Sequence, residues 1–171
     1  MKQLLKRLFG LAAENKSLSQ KDDTTTLLFA KNQVEAEHLI VEGNTLEDVG
    51  QLTEAEERYR AALRLCPDSA RAYLNLGNAQ AAQDQAEAAA ESYREALQLE
   101  PGYGAAHANF GKLYLGQKNY QNAAEHYAAA VRALPNSADA LVGLGCALEE
   151  LQRYIEALGA YRKALAIQPG F

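Results

Sequence analysis

The chain has 171 residues, with 17 basic and 22 acidic side chains and a formal charge of −5 at pH 7. An acidic chain without a basic stripe argues against a nucleic-acid partner, because phosphates demand clustered Lys and Arg. Its two cysteines, Cys66 and Cys146, are too far apart to imply a disulfide framework, and they fit a reducing cytoplasm.

Residues 1–35 come first and carry six basic and four acidic side chains. Met1–Asn15 places Leu4, Leu5, Leu8 and Leu11 near one helical face, with Lys2, Lys6 and Arg7 opposite. Lys6 and Arg7 interrupt the apolar run that a signal peptide needs, and no stretch of the chain is long enough to span a bilayer. The first expectation for this arm is a helix that packs on residues 36 onward and covers their exposed edge. A loosely tethered arm, or a basic amphipathic helix on a membrane surface or a partner, are the alternatives. The polar stretch 15–26 reads as a linker or turn, after which Asp22 or Asp23 caps a short helix through Leu27, Leu28 and Phe29.

From residue 36 the chain is periodic. Its four prolines, Pro67, Pro101, Pro135 and Pro169, are spaced by 34 residues. Counting each proline as position 32 gives units 36–69, 70–103, 104–137 and 138–171. Position 8 is then always Gly (Gly43, Gly77, Gly111, Gly145), and position 24 always Tyr (Tyr59, Tyr93, Tyr127, Tyr161). Positions 20 and 27 are always Ala: Ala55, Ala89, Ala123 and Ala157, then Ala62, Ala96, Ala130 and Ala164. Within a unit, Leu141, Leu144 and Leu148 mark one helical face and Ile155, Leu158, Tyr161 and Leu165 a second. Two helices joined by a short polar turn make an αα-hairpin. The expected helices are 36–49, 53–65, 70–82, 87–99, 104–116, 121–133, 138–150 and 155–167, each second one ending before a proline. The small residues at positions 8 and 20 let the two helices approach, and Tyr at 24 fills the gap beside them. A fixed period of this size marks a solenoid of stacked units.

These residues, and the segment Ala70–Pro101 (ARAYLNLGNAQAAQDQAEAAAESYREALQLEP) in particular, resemble the tetratricopeptide repeat (TPR) family. The resemblance covers 36–171 and implies an all-α, right-handed α-solenoid of four TPR hairpins behind a partly helical arm. Two departures stand out. Glu42 replaces an apolar residue at position 7. Position 15 is Gly only in the first unit (Gly50), with Asp84, Lys118 and Gln152 afterwards, which leaves the turns of the later units open.

The resemblance also implies that the first helix of each unit lines a concave face that binds a protein or an extended peptide. Carried over, the inner face includes Asn44, Asn75, Asn78, Asn109, Lys112 and Arg71, with Glu37, Asp139, Glu149 and Glu150 nearer its ends. An Asn amide offers donors and an acceptor, so a row of them suits a peptide backbone. The row is partly similar to the asparagine ladder of O-GlcNAc-transferase-like TPR arrays. The cations of a carboxylate clamp are missing: the corresponding places hold Ile40, Leu74, Ala105 and Asp139.

No catalytic motif is present, and no cofactor or metal site is expected: His38, His107 and His126 form no ligand cluster, with His107 expected as a packed ring. Glu54, Glu56 and Glu57, like Glu149 and Glu150, read as solvated helix faces, and both cysteines as packing or surface thiols. The reading is a non-catalytic, cytoplasmic scaffold for protein–protein interaction. The alternative is the substrate-recruiting part of a larger transferase whose chemistry lies outside this chain. At the C-terminal end, Leu158, Tyr161 and Leu165 are expected to lie partly uncovered, to be met by further chain or by a second copy in a homo-oligomer.

Overall fold

A computed structural model describes residues 2–169, with side chains described from residue 25. It contains eight helices: α1 (Lys2–Asp48), α2 (Leu52–Leu65), α3 (Ala70–Ala82), α4 (Ala86–Leu99), α5 (Gly104–Gly116), α6 (Tyr120–Ala133), α7 (Ala138–Glu150) and α8 (Tyr154–Ile167). There is no strand among the described residues. The chain is an all-α solenoid of helix hairpins, and α2 to α8 lie within one residue of the expected bounds.

The first helix differs. No break occurs at the polar stretch 15–26, and no helix starts at Asp22 or Asp23; α1 runs from Lys2 to Asp48. The stretch holds no proline and no glycine, and its Ser, Thr, Asn and Asp cost a helix only tenths of a kcal/mol each, about 0.7 at most. Polar composition alone is no stop signal for a helix. Leu27, Leu28, Phe29 and Val34 are exposed, and among the described side chains the first buried residue is Ala36. The amphipathic side chains of Met1–Asn15 and the Gly170–Phe171 end lie outside the described residues.

Each proline acts through the residue before it. Cys66, Glu100, Leu134 and Gln168 leave the α region, with φ between −127° and −135° and ψ between 73° and 92°, and their N–H groups close the last turn onto Ala62, Ala96, Ala130 and Ala164. Ser69 and Ser137 then cap the next helices, each hydroxyl accepting from the N–H three residues on at 3.2 Å.

Inside each hairpin the turn is the same in all four units. Gly50, Asp84, Lys118 and Gln152 have φ of 78°, 59°, 58° and 60°, the left-handed conformation that ends a helix. The next N–H reaches back to the helix carbonyl: Gln51 to Leu46, Gln85 to Gln80, Asn119 to Tyr114 and Arg153 to Leu148, all at 2.8–2.9 Å. Hydrogen bonding therefore holds three non-glycine residues in a strained conformation, and the loss of glycine at position 15 changes nothing in the turn geometry.

The core is a series of local clusters. A Cβ placed on Gly43, Gly77, Gly111 or Gly145 would lie 2.5, 2.6, 3.0 or 2.4 Å from the Tyr ring of the same unit. Glycine is required because the ring occupies that volume; Tyr59 is fully buried as a result. Ala55, Ala62, Ala89, Ala96, Ala123 and Ala130 are buried at the close approaches. Consecutive first helices touch one another (α1 with α3, α3 with α5, α5 with α7), whereas α2, α4, α6 and α8 touch only first helices. The array therefore curves toward its first helices, and their outer faces form the inner wall.

Candidate functional site

The inner wall carries a repeated hydrogen-bond unit. Asn44 Oδ1 accepts from Tyr59 Oη at 2.8 Å and from Asn75 Nδ2 at 2.8 Å. One unit on, Asn78 Oδ1 accepts from Tyr93 Oη at 3.0 Å and from Asn109 Nδ2 at 2.7 Å. The position-9 Asn thus joins the tyrosine of its own hairpin to the position-6 Asn of the next. The Tyr59 hydroxyl also lies 2.8 Å from Glu47 Oε2, so its single proton is shared between two acceptors. Burial, together with the Glu47 carboxylate, raises the pKa of Tyr59 and Tyr93. Both remain protonated donors.

This geometry decides what each rung offers a partner. The carbonyls of Asn44 and Asn78 are taken by two internal donors each, which leaves their Nδ2 hydrogens. Asn75 and Asn109 have spent one hydrogen and keep Oδ1 and the second. The rungs are therefore not equivalent, although an isolated Asn serves equally as donor or acceptor.

The relay stops after α5. Lys112 stands at position 9 and Gly143 at position 6, and the Tyr127 ring fills the space of the missing side chain; a Cβ on Gly143 would lie 2.3 Å from it. Burial pushes the Tyr127 hydroxyl up to about 12. In the last unit Tyr161 Oη donates to Glu149 Oε2 at 2.9 Å and contacts Cys146 Sγ at 3.5 Å.

Between α3 and α5 the wall opens into a groove of about 620 Å³. Asn78, Asn109, Lys112 and Tyr93 line it together with Glu47 and Asp84, over a floor that includes Ala81, Ala82 and Gly116. Three of the expected inner-face residues thus meet in one cavity. Asn44 and Asn75 form the neighbouring rung. Arg71 is committed elsewhere, its Nη1 lying 2.7 Å from Glu37 Oε1. Lys112 makes no ion pair or hydrogen bond among the described residues. Sequence reasoning places neither the tyrosine hydroxyls nor Glu47 and Asp84 at this site. It assigns the invariant Tyr only to filling space, though the recurrence of Tyr beside a position-9 Asn in two units is a signal.

Two further polar groups lie off the wall, and the first differs from expectation. Glu56 is not solvated: it is 5% exposed. Its carboxylate pairs with Arg60 at 2.7 Å and accepts from Gln83 at 3.0 Å and Gln80 at 3.4 Å, and Gln80 in turn accepts from Ser92 at 2.6 Å. Burial is tolerated because the charge is paired and its oxygens are satisfied. His107 and His126 face each other with Nδ1 atoms 3.0 Å apart, beside Phe110 and Tyr114. His107 Nε2 donates to the Pro101 carbonyl at 3.1 Å, which leaves its Nδ1 to accept from His126. Burial, and then any charge on His107, lowers His126 to about 4.

Cys66 is buried and its thiol is pushed up by burial and then by Asp68. Among the described residues no three His, Cys, Asp or Glu gather to hold a metal, and no helix is long and apolar enough to cross a membrane. At the α8 end Leu158 is 49% and Leu165 46% exposed, with Tyr161 half-buried.

Comparison with known proteins agrees with this architecture. Models of the tetratricopeptide repeat match residues 43–84, 70–103 and 109–170. No curated protein matches the chain. Among solved structures, a crystal structure of MamA is 28% identical with a TM-score of 0.73, over 85% of this chain and 84% of that one. The Sgt2 TPR domain from Aspergillus fumigatus is 26% identical with a TM-score of 0.67, over 70% of this chain and 80% of that one. Pseudomonas aeruginosa pilF, at 22% identity and a TM-score of 0.77 over 82% of this chain and 64% of that one, shares the fold alone.

Proposed function

From the premise that the chain belongs to the tetratricopeptide repeat family, and is thereby a protein-interaction scaffold, we propose that it binds an extended partner segment along its first-helix wall without catalysing a reaction. Residues 36–171 are the interaction unit in this reading and 1–35 an appended arm. The observation that carries it is the fixed polarity of the rungs. Asn44 and Asn78 are held by two internal hydrogen bonds each and present only N–H donors outward. Donors prepositioned at unit spacing suit the carbonyl oxygens of an extended backbone, and prepositioning lowers the ordering cost of binding.

Alanine at Asn75 or Asn109 would be an ambiguous test, since each also anchors the rung before it. Asn78→Asp is cleaner. The carboxylate keeps the acceptor that Tyr93 and Asn109 use and removes both outward donors. With an array of capped extended peptides, the expected result is a fall in affinity of about thirty-fold, from two hydrogen bonds worth about 1 kcal/mol each, at an unchanged melting temperature. Peptide affinity equal to that of the unsubstituted chain would refute the assignment.

A further inference from the structure

We propose that the groove between α3 and α5 selects charge as well as main chain: its occupant is an extended segment that sets one carboxylate side chain on Lys112 and one cationic side chain toward Glu47. The inference rests on the concave-face reading above and specifies what that face accepts.

The position-9 row runs Asn44, Asn78, Lys112 along consecutive first helices. All three present donors alone, the two asparagines because their carbonyls are spent inside the wall, the lysine by its chemistry. Lys112 is the rung with a formal charge. It is exposed, has no partner among the described residues, and shares the groove with Asn78 and Asn109. A neutral carbonyl would satisfy an Asn rung; an unpaired ammonium at the next rung favours a carboxylate. The opposite side of the groove has the opposite sign. Glu47 on α1 spends Oε2 on Tyr59 and keeps Oε1 free, and Asp84 stands exposed at the α3–α4 turn.

The remaining inner-wall charges limit how many acids the segment can carry. Arg71 is neutralised by Glu37, while α7 beyond Lys112 carries Asp139 in its first turn and Glu149 and Glu150 at its end. A run of several carboxylates would meet these three, so the groove suits a single acidic side chain. Spacing is set by packing. Touching helices lie about 8–10 Å apart and an extended chain advances about 3.3 Å per residue, so one rung corresponds to about three residues. Glu47 on α1 and Lys112 on α5 are two rungs apart, which sets the two charges of the segment about six residues apart, in either chain direction.

The test uses the full chain, immobilised, with a random library of nine-residue peptides acetylated and amidated at their ends so that no terminal charge contributes. The expected selection is one Asp or Glu and one Lys or Arg about six positions apart. Lys112→Met should lose the acidic preference by about three- to ten-fold, the range of one charge-assisted hydrogen bond at a partly solvated site, and Lys112→Glu should replace it with a preference for Lys or Arg. Circular dichroism and melting of both variants check folding, which should persist because Lys112 is exposed and makes no hydrogen bond or ion pair among the described residues. A selection without charge bias, or one that Lys112→Met leaves unaltered, overturns this inference; if that selection still weakens in Asn78→Asp, the concave-face reading stands. If the chain selects no peptide at all, both fall.

Discussion

Gly77→Ala puts one methyl group where the Tyr93 ring already is. The new Cβ would lie 2.6 Å from Cε1, 2.7 Å from Cδ1 and 3.2 Å from Cζ of Tyr93. Carbon atoms rest at about 3.5–4.0 Å, so the ring must retreat by about 1 Å. It has little room: Tyr93 is 2% exposed, packs on Phe110 at a centroid distance of 5.8 Å, and donates to Asn78 at 3.0 Å. Overpacking costs about 1–3 kcal/mol, and weakening the Tyr93–Asn78 bond about 1 kcal/mol more. Replacing a mid-helix glycine by alanine returns about 1 kcal/mol of propensity. The net expectation is a loss of about 1–3 kcal/mol, or roughly 3–10 °C in Tm for a chain of this length. Gly159→Ala is the internal control, because nothing lies within 4 Å of its added Cβ; it should gain about 0.5–1 kcal/mol. Thermal and urea unfolding of the two variants measure the difference. A Gly77→Ala chain at least as stable as the parent would refute the claim that position 8 is glycine because the tyrosine requires it.

Two further outcomes rest on the same geometry. Lys118→Gly and Gln152→Gly relieve left-handed backbone at exposed turns, φ 58° and 60°, and each should raise stability by about 0.5–1 kcal/mol in urea titrations; a loss would mean that the turn is unstrained. His126, lowered to about 4 from an ordinary 6.5, binds its proton less well folded than unfolded, so its contribution is complete above pH 6.5, declines as pH falls toward 4, and is flat below. With the ring half-buried between His107 and Glu125, the decline is about 1–2 kcal/mol, and His126→Gln should remove that part of the stability–pH curve; identical curves for the two chains would contradict it.

The buried polar groups show where local reasoning stops. Glu54, Glu56 and Glu57 are alike as neighbours in sequence, yet Glu56 is buried because Gln80 and Gln83 of the next hairpin bring amide donors to its carboxylate. His107 is legible as a packed ring from its position, but its pairing with His126 depends on how α5 and α6 face each other across the hairpin. The long α1 fails in the other direction. Its polar stretch has the composition of a linker, yet without proline or glycine that composition does not stop a helix.

What the amino-acid order alone determined is everything set by neighbours on one strand of chain: the period, the proline stops, the apolar faces, and the small residues where helices approach. Each of these recurs in every unit and so becomes visible by repetition. The use of the asparagines was decided by tertiary structure. Asn44 meets Asn75, and Asn78 meets Asn109, only after one hairpin has stacked on another. The physical reason is that a side-chain amide has no fixed role in sequence. Which of its atoms remains for a partner depends on which ones the folded wall has already bound.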